Sequence, residues 1–209
     1  MPVLLTTSLI ISSLIKTFLP FFFVLRSTDG GGNSKPHDKI RFKALSSPIK
    51  THFADVDEER FRKTCAKFAT GIAIVTVVGK EGRPLGITVN SFTSVSCAPP
   101  LVLVCIDYRS SILPHFRNST YYGINVLRGD QRHISVKFSQ PELDRFDSTE
   151  WHAGVAGVPL LDSMLAAMEC RITQTVEAGD HAIFIAEVIG ADCNEGRPLL
   201  YYGSDYCCL

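Results

Sequence analysis

The sequence lacks the short motifs that mark the most common catalytic folds. It has no Gly-x-Ser-x-Gly elbow, no Gly-x-Gly-x-x-Gly turn and no His-Glu-x-x-His helix. These absences remove the usual signals of a serine hydrolase, a Rossmann dinucleotide fold and a zinc protease. The six histidines share no spacing, with each other or with a cysteine, that suits a metal ion. No metal site is therefore predicted.

Paired cysteines are also missing. The seven cysteines form an odd set without a Cys-x-x-Cys pair, so the sequence predicts neither a zinc ribbon nor a disulfide framework. Free thiols are typical of proteins in a reducing compartment. We therefore expect a cytoplasmic protein.

The chain has no excess of charge of either sign, with 21 Lys and Arg against 21 Asp and Glu. Residues 1–50 hold 7 bases and 2 acids, which leaves 14 bases and 19 acids in residues 51–209. This mildly acidic body lacks the clustered basic face that binding to a phosphate backbone requires. Nucleic acid is not an expected partner.

The N-terminal region is distinct from the rest. Residues 4–25 are largely apolar, interrupted by Lys16 and Pro20, and their length is near the roughly 20 residues that span a bilayer. A membrane anchor, an organelle-targeting segment and a misassigned start codon all fit this pattern, so membrane contact stays open. We treat residues 1–26 as a hydrophobic segment and the Gly- and Pro-containing residues 27–54 as a flexible linker. The folded domain is predicted at residues 55–209.

The pattern of this domain predicts a mainly β fold with a few helices. Asp55 with Glu58 indicates a helix cap, and apolar residues at helical spacing up to Gly71 predict an amphipathic helix. Turns at 79–84 and 177–180 predict two β-hairpins, the first resuming as a strand at 85–92. The apolar strand at 101–106 is expected to be central and buried on both faces. Further strands are expected at 121–127 and 199–202, short helices at 111–118 and 131–138, and a long loop at 139–157. Without regular strand–helix alternation, this order favours a small antiparallel barrel.

Two polar features are candidate sites. Hydroxyl and amide side chains between residues 88 and 96 suit a phosphate or a flat heteroaromatic ring, although Ser and Thr are as common in ordinary turns. The second feature is the corner Gly179-Asp180-His181, but a histidine that begins a strand is more often structural than catalytic. The cations Arg109, Arg128, Arg132 and Lys137 are candidate phosphate partners, although isolated surface charges are usually only solvated.

The order of these features resembles the flavin reductase family. The matching segments are Phe68-Ala69-Thr70-Gly71, Gly86 to Ser96, Pro99-Pro100-Leu101-Val102, Asn125-Val126-Leu127, Gly179-Asp180-His181 and Pro198 to Tyr202. They cover roughly residues 56–206. The resemblance implies an NAD(P)H:flavin oxidoreductase with an FMN-binding split β-barrel, of the kind that supplies reduced flavin to two-component monooxygenases.

The resemblance also implies a site in two parts. The part that holds the flavin phosphate and ring edge in the family corresponds to Thr88, Asn90, Ser91, Ser94, Val95 and Ser96, with Ser110 and Ser111 on the phosphate side. Asp180 and His181 match the motif whose histidine lies beside the nicotinamide.

The implied ligands are FMN or FAD and, as hydride donor, NAD(P)H. The implied partners are a second copy of the chain, as a homodimer, and a monooxygenase. Two alternatives stay open: a flavin- or haem-binding split barrel without NAD(P)H turnover, and an oxidase similar to the pyridoxamine-phosphate oxidases.

Overall fold

The computed structural model describes residues 56–140 and 144–208, and this part of the chain is mainly antiparallel β-structure. Its helices are α1 (Glu58–Cys65), α2 (Leu113–Arg117) and α3 (Arg132–Ser139). Its strands are β1 (Thr70–Gly71), β2 (Ala73–Val78), β3 (Pro84–Val89), β4 (Thr93–Cys97), β5 (Pro100–Asp107), β6 (Tyr121–Val126), β7 (Trp151–Ala153), β8 (Pro159–Leu161), β9 (Ala166–Ala178), β10 (His181–Cys193), β11 (Leu199–Tyr202) and β12 (Asp205–Cys208). The expected fold class is confirmed, whereas the predicted N-terminal segment and linker lie outside the described residues.

The main sheet has seven strands in the order β3-β2-β6-β9-β10-β5-β4, so β3 and β4 occupy its two opposite edges. These strands are consecutive in the chain and only residues 90–92 join them. A flat sheet would separate its edge strands by about 29 Å at about 4.8 Å per strand, whereas this connection reaches at most about 14 Å. The sheet must therefore curl until its two edges approach each other.

The interior of the curled sheet is the main hydrophobic core. Alternate side chains of β5 and β10 point inward, and Phe116 of α2 packs with them fully buried. Val89 of β3 and Val102 of β5 belong to the same cluster, as the curl requires. Smaller sheets, β1-β11-β12 and β7-β8, lie beside it.

The prediction that the apolar strand at 101–106 is central was wrong. β5 lies next to the edge strand β4, and the middle position belongs to β9. Only the inward side chains of β5 are buried, whereas Leu101, Leu103 and Cys105 are half-buried on the outer face. A continuous apolar run therefore marks a strand with one core face and one partly covered face.

The first helix also differs from its prediction. α1 begins two residues later than expected, and its cap is Asp57, whose carboxylate accepts a hydrogen bond from the Arg60 N–H at 2.7 Å. No residue of α1 is buried, and Phe61 is 58% exposed. Phe68, expected to extend the same apolar face, lies beyond the helix and is 77% exposed. The apolar pattern is therefore not explained by the core of the described chain.

Other elements differ in extent. The strand expected at 85–92 ends at Val89, and a separate strand, β4, begins at Thr93. The segment expected to be a long loop contains β7, and β12 was not predicted. The second hairpin is confirmed and is longer than expected, because β9 and β10 each have 13 residues.

Candidate functional site

The unpaired edge of β3 forms one wall of a cleft. The Gly79 N–H donates to the Arg83 carbonyl, which fixes the alternation of the β2–β3 ladder and directs the backbone groups of Gly86 and Thr88 away from β2. Consistent with this, the Gly86 carbonyl accepts a hydrogen bond from Arg145 Nη1 at 2.5 Å. The edge of β3 therefore presents backbone donors and acceptors to the cleft.

The cleft has a volume of about 810 Å³. Its opposite walls are the start of α2 and the segment that follows residue 143. The lining residues are Arg83, Pro84, Leu85, Gly86, Ser111, Ile112, His115, Asp144, Arg145, Phe146 and Asp147. This volume falls within the roughly 300–1,000 Å³ of small-molecule sites.

Ser91 closes the sheet at the turn between β3 and β4. Its hydroxyl accepts from the Cys105 N–H and donates to the Cys105 carbonyl, both at 3.1 Å. Because Thr93 pairs with Leu103, the next antiparallel rung would place residue 91 opposite residue 105. The Ser91 side chain therefore replaces a backbone rung, and its hydroxyl is occupied within the protein.

The other residues predicted to hold the flavin differ in whether their side chains already have a hydrogen-bond partner within the protein. The Thr88 hydroxyl donates to the Ser135 carbonyl at 2.6 Å, and Ser96 Oγ accepts from the Ala98 N–H at 3.3 Å. Val95 lies where the register of β4 against β5 shifts, in a β-bulge. The predicted polar side chains left without a hydrogen-bond partner among the described residues are Asn90, Ser94, Ser110 and Ser111.

The second predicted part of the site lies at the tip of the β9–β10 hairpin. Gly179 turns the chain with a φ of +60°, a conformation that glycine adopts without strain. His181 Nδ1 and Asp180 Oδ1 lie 2.7 Å apart, and this hydrogen bond lowers the pKa of Asp180. His181 begins β10 directly opposite Asp107 of β5. The imidazole is therefore fixed through one nitrogen, and Nε2 is left for a ligand.

Charged residues surround this corner, and of these the sequence analysis named only Arg109, as a candidate phosphate partner. The Arg109 side chain donates to Asp107 at 2.6 Å and, with the Arg109 N–H, holds the pKa of that carboxyl well below its usual range. Arg117 donates to both oxygens of Glu177 at 2.9 and 3.0 Å. The Tyr108 hydroxyl also donates to Glu177, which raises the pKa of Tyr108. No sequence spacing marks the contacts of Glu177, because its partners Tyr108 and Arg117 lie 60 or more positions away.

The end of β5 brings the two predicted parts together. Cys105 holds the Ser91 turn, and two residues later Asp107 pairs with His181. The Ser110 N–H then donates to the Asp107 carbonyl at 2.9 Å, which turns the chain toward Ser111 in the cleft. Of the predicted site residues, Ser111 lines the cleft, whereas Asp180 and His181 lie at the hairpin tip and do not line it.

The four cations offered by the sequence as phosphate partners all have other contacts. These partners are Asp107 for Arg109, Asp130 for Arg128, Asp205 and the Tyr206 ring for Arg132, and Thr149 for Lys137. Instead, the structure places Arg83, His115 and Arg145 in the cleft. Sequence reasoning did not single out these residues for the site.

Two further observations concern residues 56–140 and 144–208. In this part of the chain, no group of three or more His, Cys, Asp or Glu side chains is placed to hold a metal ion. None of its helices has the length and apolar character needed to cross a membrane.

The curled antiparallel sheet, with a cleft along the free edge of β3 and a His–Asp corner at the tip of the β9–β10 hairpin, defines a split β-barrel with a site for a small molecule. The sequence profile described as "Flavin reductase like domain" matches residues 65–209. The chain therefore belongs to the flavin reductase family.

Among curated proteins, the chain is 37% identical over 166 residues to a flavin reductase (NADH) of Kitasatospora aureofaciens, which covers 78% of this chain and 87% of that protein. It is 40% identical over 146 residues to an FMN reductase (NADH) of Agrobacterium fabrum, covering 70% of this chain and 83% of that protein. Among solved structures, the Streptomyces globisporus NADH:FAD oxidoreductase in complex with NAD and FAD fragments has a TM-score of 0.69 and 35% identity, over 72% of this chain and 92% of that one.

Proposed function

We propose that this chain transfers a hydride from NAD(P)H to FMN or FAD. The observation that carries the proposal is the convergence at the end of β5, where Ser91 is bonded to Cys105 and His181 pairs with Asp107 two residues later. Ser111, four residues after Asp107, lines the cleft of about 810 Å³. The names of the similar proteins, which are NADH-dependent reductases of flavin, FMN or FAD, support the same reaction.

The cleft residues fit a flavin. A flavin carries a ring edge rich in donors and acceptors and a phosphate-bearing chain, and the free edge of β3 offers backbone N–H and C=O groups for the former. Of the residues predicted to hold the flavin, only Ser111 lines the cleft. We assign Asn90 and Ser94 to the ring side and Ser110 and Ser111 to the phosphate side, because their side chains have no partner among the described residues. The hydroxyls of Thr88, Ser91 and Ser96 already have partners within the protein, so these residues and Val95 can offer a flavin their backbone groups.

His181 positions the nicotinamide. Asp180 holds Nδ1 of the imidazole, so Nε2 faces outward and can bond the carboxamide, which offers both a donor and an acceptor. When bound, the flavin supplies the hydride acceptor and the nicotinamide the donor. His181 and Asp180 contribute orientation, which raises the rate by holding the reactants in place, and they abstract no proton.

We further propose a homodimer and a monooxygenase partner. Phe61 and Phe68 are largely exposed in the single chain, and a second copy would remove this apolar surface from water. A 35% identical relative from Rhodococcus opacus is the reductase component of a 4-nitrophenol monooxygenase. The proposed catalytic domain is residues 55–209, and the free cysteines suit a cytoplasmic location.

The experiment that tests the reaction uses the purified full-length chain. NADH and NADPH oxidation at 340 nm is followed with added FMN, FAD or riboflavin, and the visible spectrum of the protein is recorded. We expect flavin-dependent oxidation of at least one nucleotide. A bound flavin or haem without such oxidation would favour a binding protein instead. Sedimentation velocity tests the dimer, for which we expect twice the 23.0 kDa of one chain.

A further inference from the structure

Arg145 is a half-buried cation in the wall of the cleft. Its Nε donates to the Gln140 carbonyl at 2.9 Å and its Nη1 to the Gly86 carbonyl at 2.5 Å. A guanidinium has five N–H donors in a rigid fork, so three remain after these two bonds. The two backbone bonds fix the plane of the group beside the free edge of β3.

No carboxylate of the described residues lies within ion-pair distance of Arg145. Asp144 and Asp147 also line the cleft, but neither forms an ion pair, and Asp144 Oδ1 instead accepts from the Phe146 N–H at 3.1 Å. Burial lowers the pKa of Arg145, and no carboxylate of residues 56–140 and 144–208 offsets that effect. A partly buried charge is unfavourable without a counter-ion, and since the described residues supply none, Arg145 is available to pair with an anion.

The surroundings indicate where that anion would sit. Arg83 and His115 line the same cleft, and so does Ser111, whose hydroxyl has no partner in the part of the chain that the structure describes. A guanidinium fork, a second cation and a hydroxyl together form a donor set that suits a phosphate group. By contrast, each of the other arginines considered as phosphate partners, such as Arg109 and Arg128, is already held by a carboxylate.

We propose that Arg145 binds the phosphate of the flavin and thereby makes the protein select FMN and FAD over riboflavin. This inference rests on the proposed function for the identity of the ligand. Arg145, which we propose as the residue that determines specificity, belongs neither to the segment 88–96 nor to the serine pair at 110–111. Ser111 supplies a hydroxyl, whereas Arg145 supplies the charge that riboflavin cannot use.

Equilibrium binding without nicotinamide nucleotide tests the proposal. Dissociation constants for FMN and riboflavin are measured by flavin fluorescence for the wild type and for Arg145→Gln, Arg145→Lys and Arg128→Gln. Loss of a charged hydrogen bond corresponds to roughly a 10- to 100-fold change. We expect Arg145→Gln to weaken FMN binding by that factor and to change riboflavin binding by less than about threefold. Arg145→Lys should recover part of the loss, and Arg128→Gln, a paired cation outside the cleft, should change neither constant.

A wild-type measurement makes the test independent of variant folding. Inorganic phosphate should compete with FMN and leave riboflavin binding unchanged. Equal wild-type affinity for FMN and riboflavin would overturn the proposal. So would a KM effect of Arg145→Gln on NADH with FMN affinity intact, because the cleft would then hold the phosphates of the nicotinamide nucleotide. Phosphate-dependent flavin binding without NAD(P)H oxidation would contradict the proposed function but leave the role of Arg145 in place.

Discussion

Ser91 and Ser94 are three residues apart on one polar segment, but their hydroxyls have different environments. Ser91 is bonded twice to the backbone of Cys105, whereas Ser94 has no side-chain partner among the described residues. From sequence, both are equally good candidates for a flavin contact. The sequence predicts that both side chains can form hydrogen bonds. It does not predict which hydroxyl is already bonded within the protein, because that depends on a strand that pairs only in the folded state.

Replacing these serines should separate stability from binding. Ser91→Ala leaves the Cys105 N–H and carbonyl without their partner, and we expect a loss of about 1–3 kcal/mol in the free energy of unfolding. Ser94→Ala should change stability by less than about 0.5 kcal/mol and weaken flavin binding. Urea denaturation and flavin titration measure the two effects. Equal stability of both variants would contradict the structural role of Ser91.

His181→Ala should lower hydride transfer far more than flavin affinity. Under the proposed function the imidazole orients the donor, so we expect the rate constant of flavin reduction to fall roughly 10- to 100-fold, with the flavin dissociation constant within about threefold. Stopped-flow reduction with NADH measures the rate. His133→Ala, at an exposed position of α3, is the matched control and should behave as wild type. An unchanged rate for His181→Ala would remove this histidine from the site.

At the level of elements, the hairpin corner has two arginines and no free guanidinium. Arg109 is held by Asp107, and Arg117 by Glu177, which also binds Tyr108. Recognition of the 2′-phosphate of NADPH normally uses an available arginine, so this corner should favour NADH.

Glu177→Gln should therefore shift the choice of nucleotide. Release of Arg117 is expected to raise the ratio of kcat/KM for NADPH to that for NADH by about 10-fold, which corresponds to about 1.4 kcal/mol. Steady-state assays with both nucleotides measure the ratio. Asp130→Asn, which removes an exposed ion pair with Arg128 elsewhere, is the control. The same ratio in all three proteins would show that Glu177 has no part in selection.

The elements also explain which predictions held. The β9–β10 hairpin was identified because its turn residues and alternating strands are local signals. The position of β5 in the sheet was not predicted correctly, because an apolar run gives no information about which strands become its neighbours. The apolar pattern before Gly71 predicted a buried helix face, yet α1 buries no side chain in the described chain. Periodicity reports that a surface is apolar and not what covers it.

At the scale of the whole molecule, the family profile begins at residue 65, and the predicted domain begins at residue 55. The order of six short segments was enough to identify the family, because each is placed by the same fold. The contacts that complete the site, such as those of Arg145, form only in the folded chain. No motif in the sequence predicts them.

A chain that starts at residue 55 should keep the reaction. We expect its kcat/KM for NADH and FMN to lie within about threefold of the full-length value, because every residue assigned to the site follows that point. Parallel assays of the two proteins measure this. A chain that folds, as judged by circular dichroism, but lacks activity would show that residues 1–54 contribute to catalysis.

The cleft is tied to the sheet at two places. The Ser91 hydroxyl fastens the turn after β3 to β5, and Arg145 fastens the segment after residue 143 to the edge of β3. A groove anchored in this way keeps its width while its side stays open to solvent. Under the proposed function, reduced flavin could then depart without any opening motion of the protein. Its delivery to a second enzyme would then depend only on its dissociation and diffusion. Added viscogens should therefore slow this delivery only in proportion to the slower diffusion.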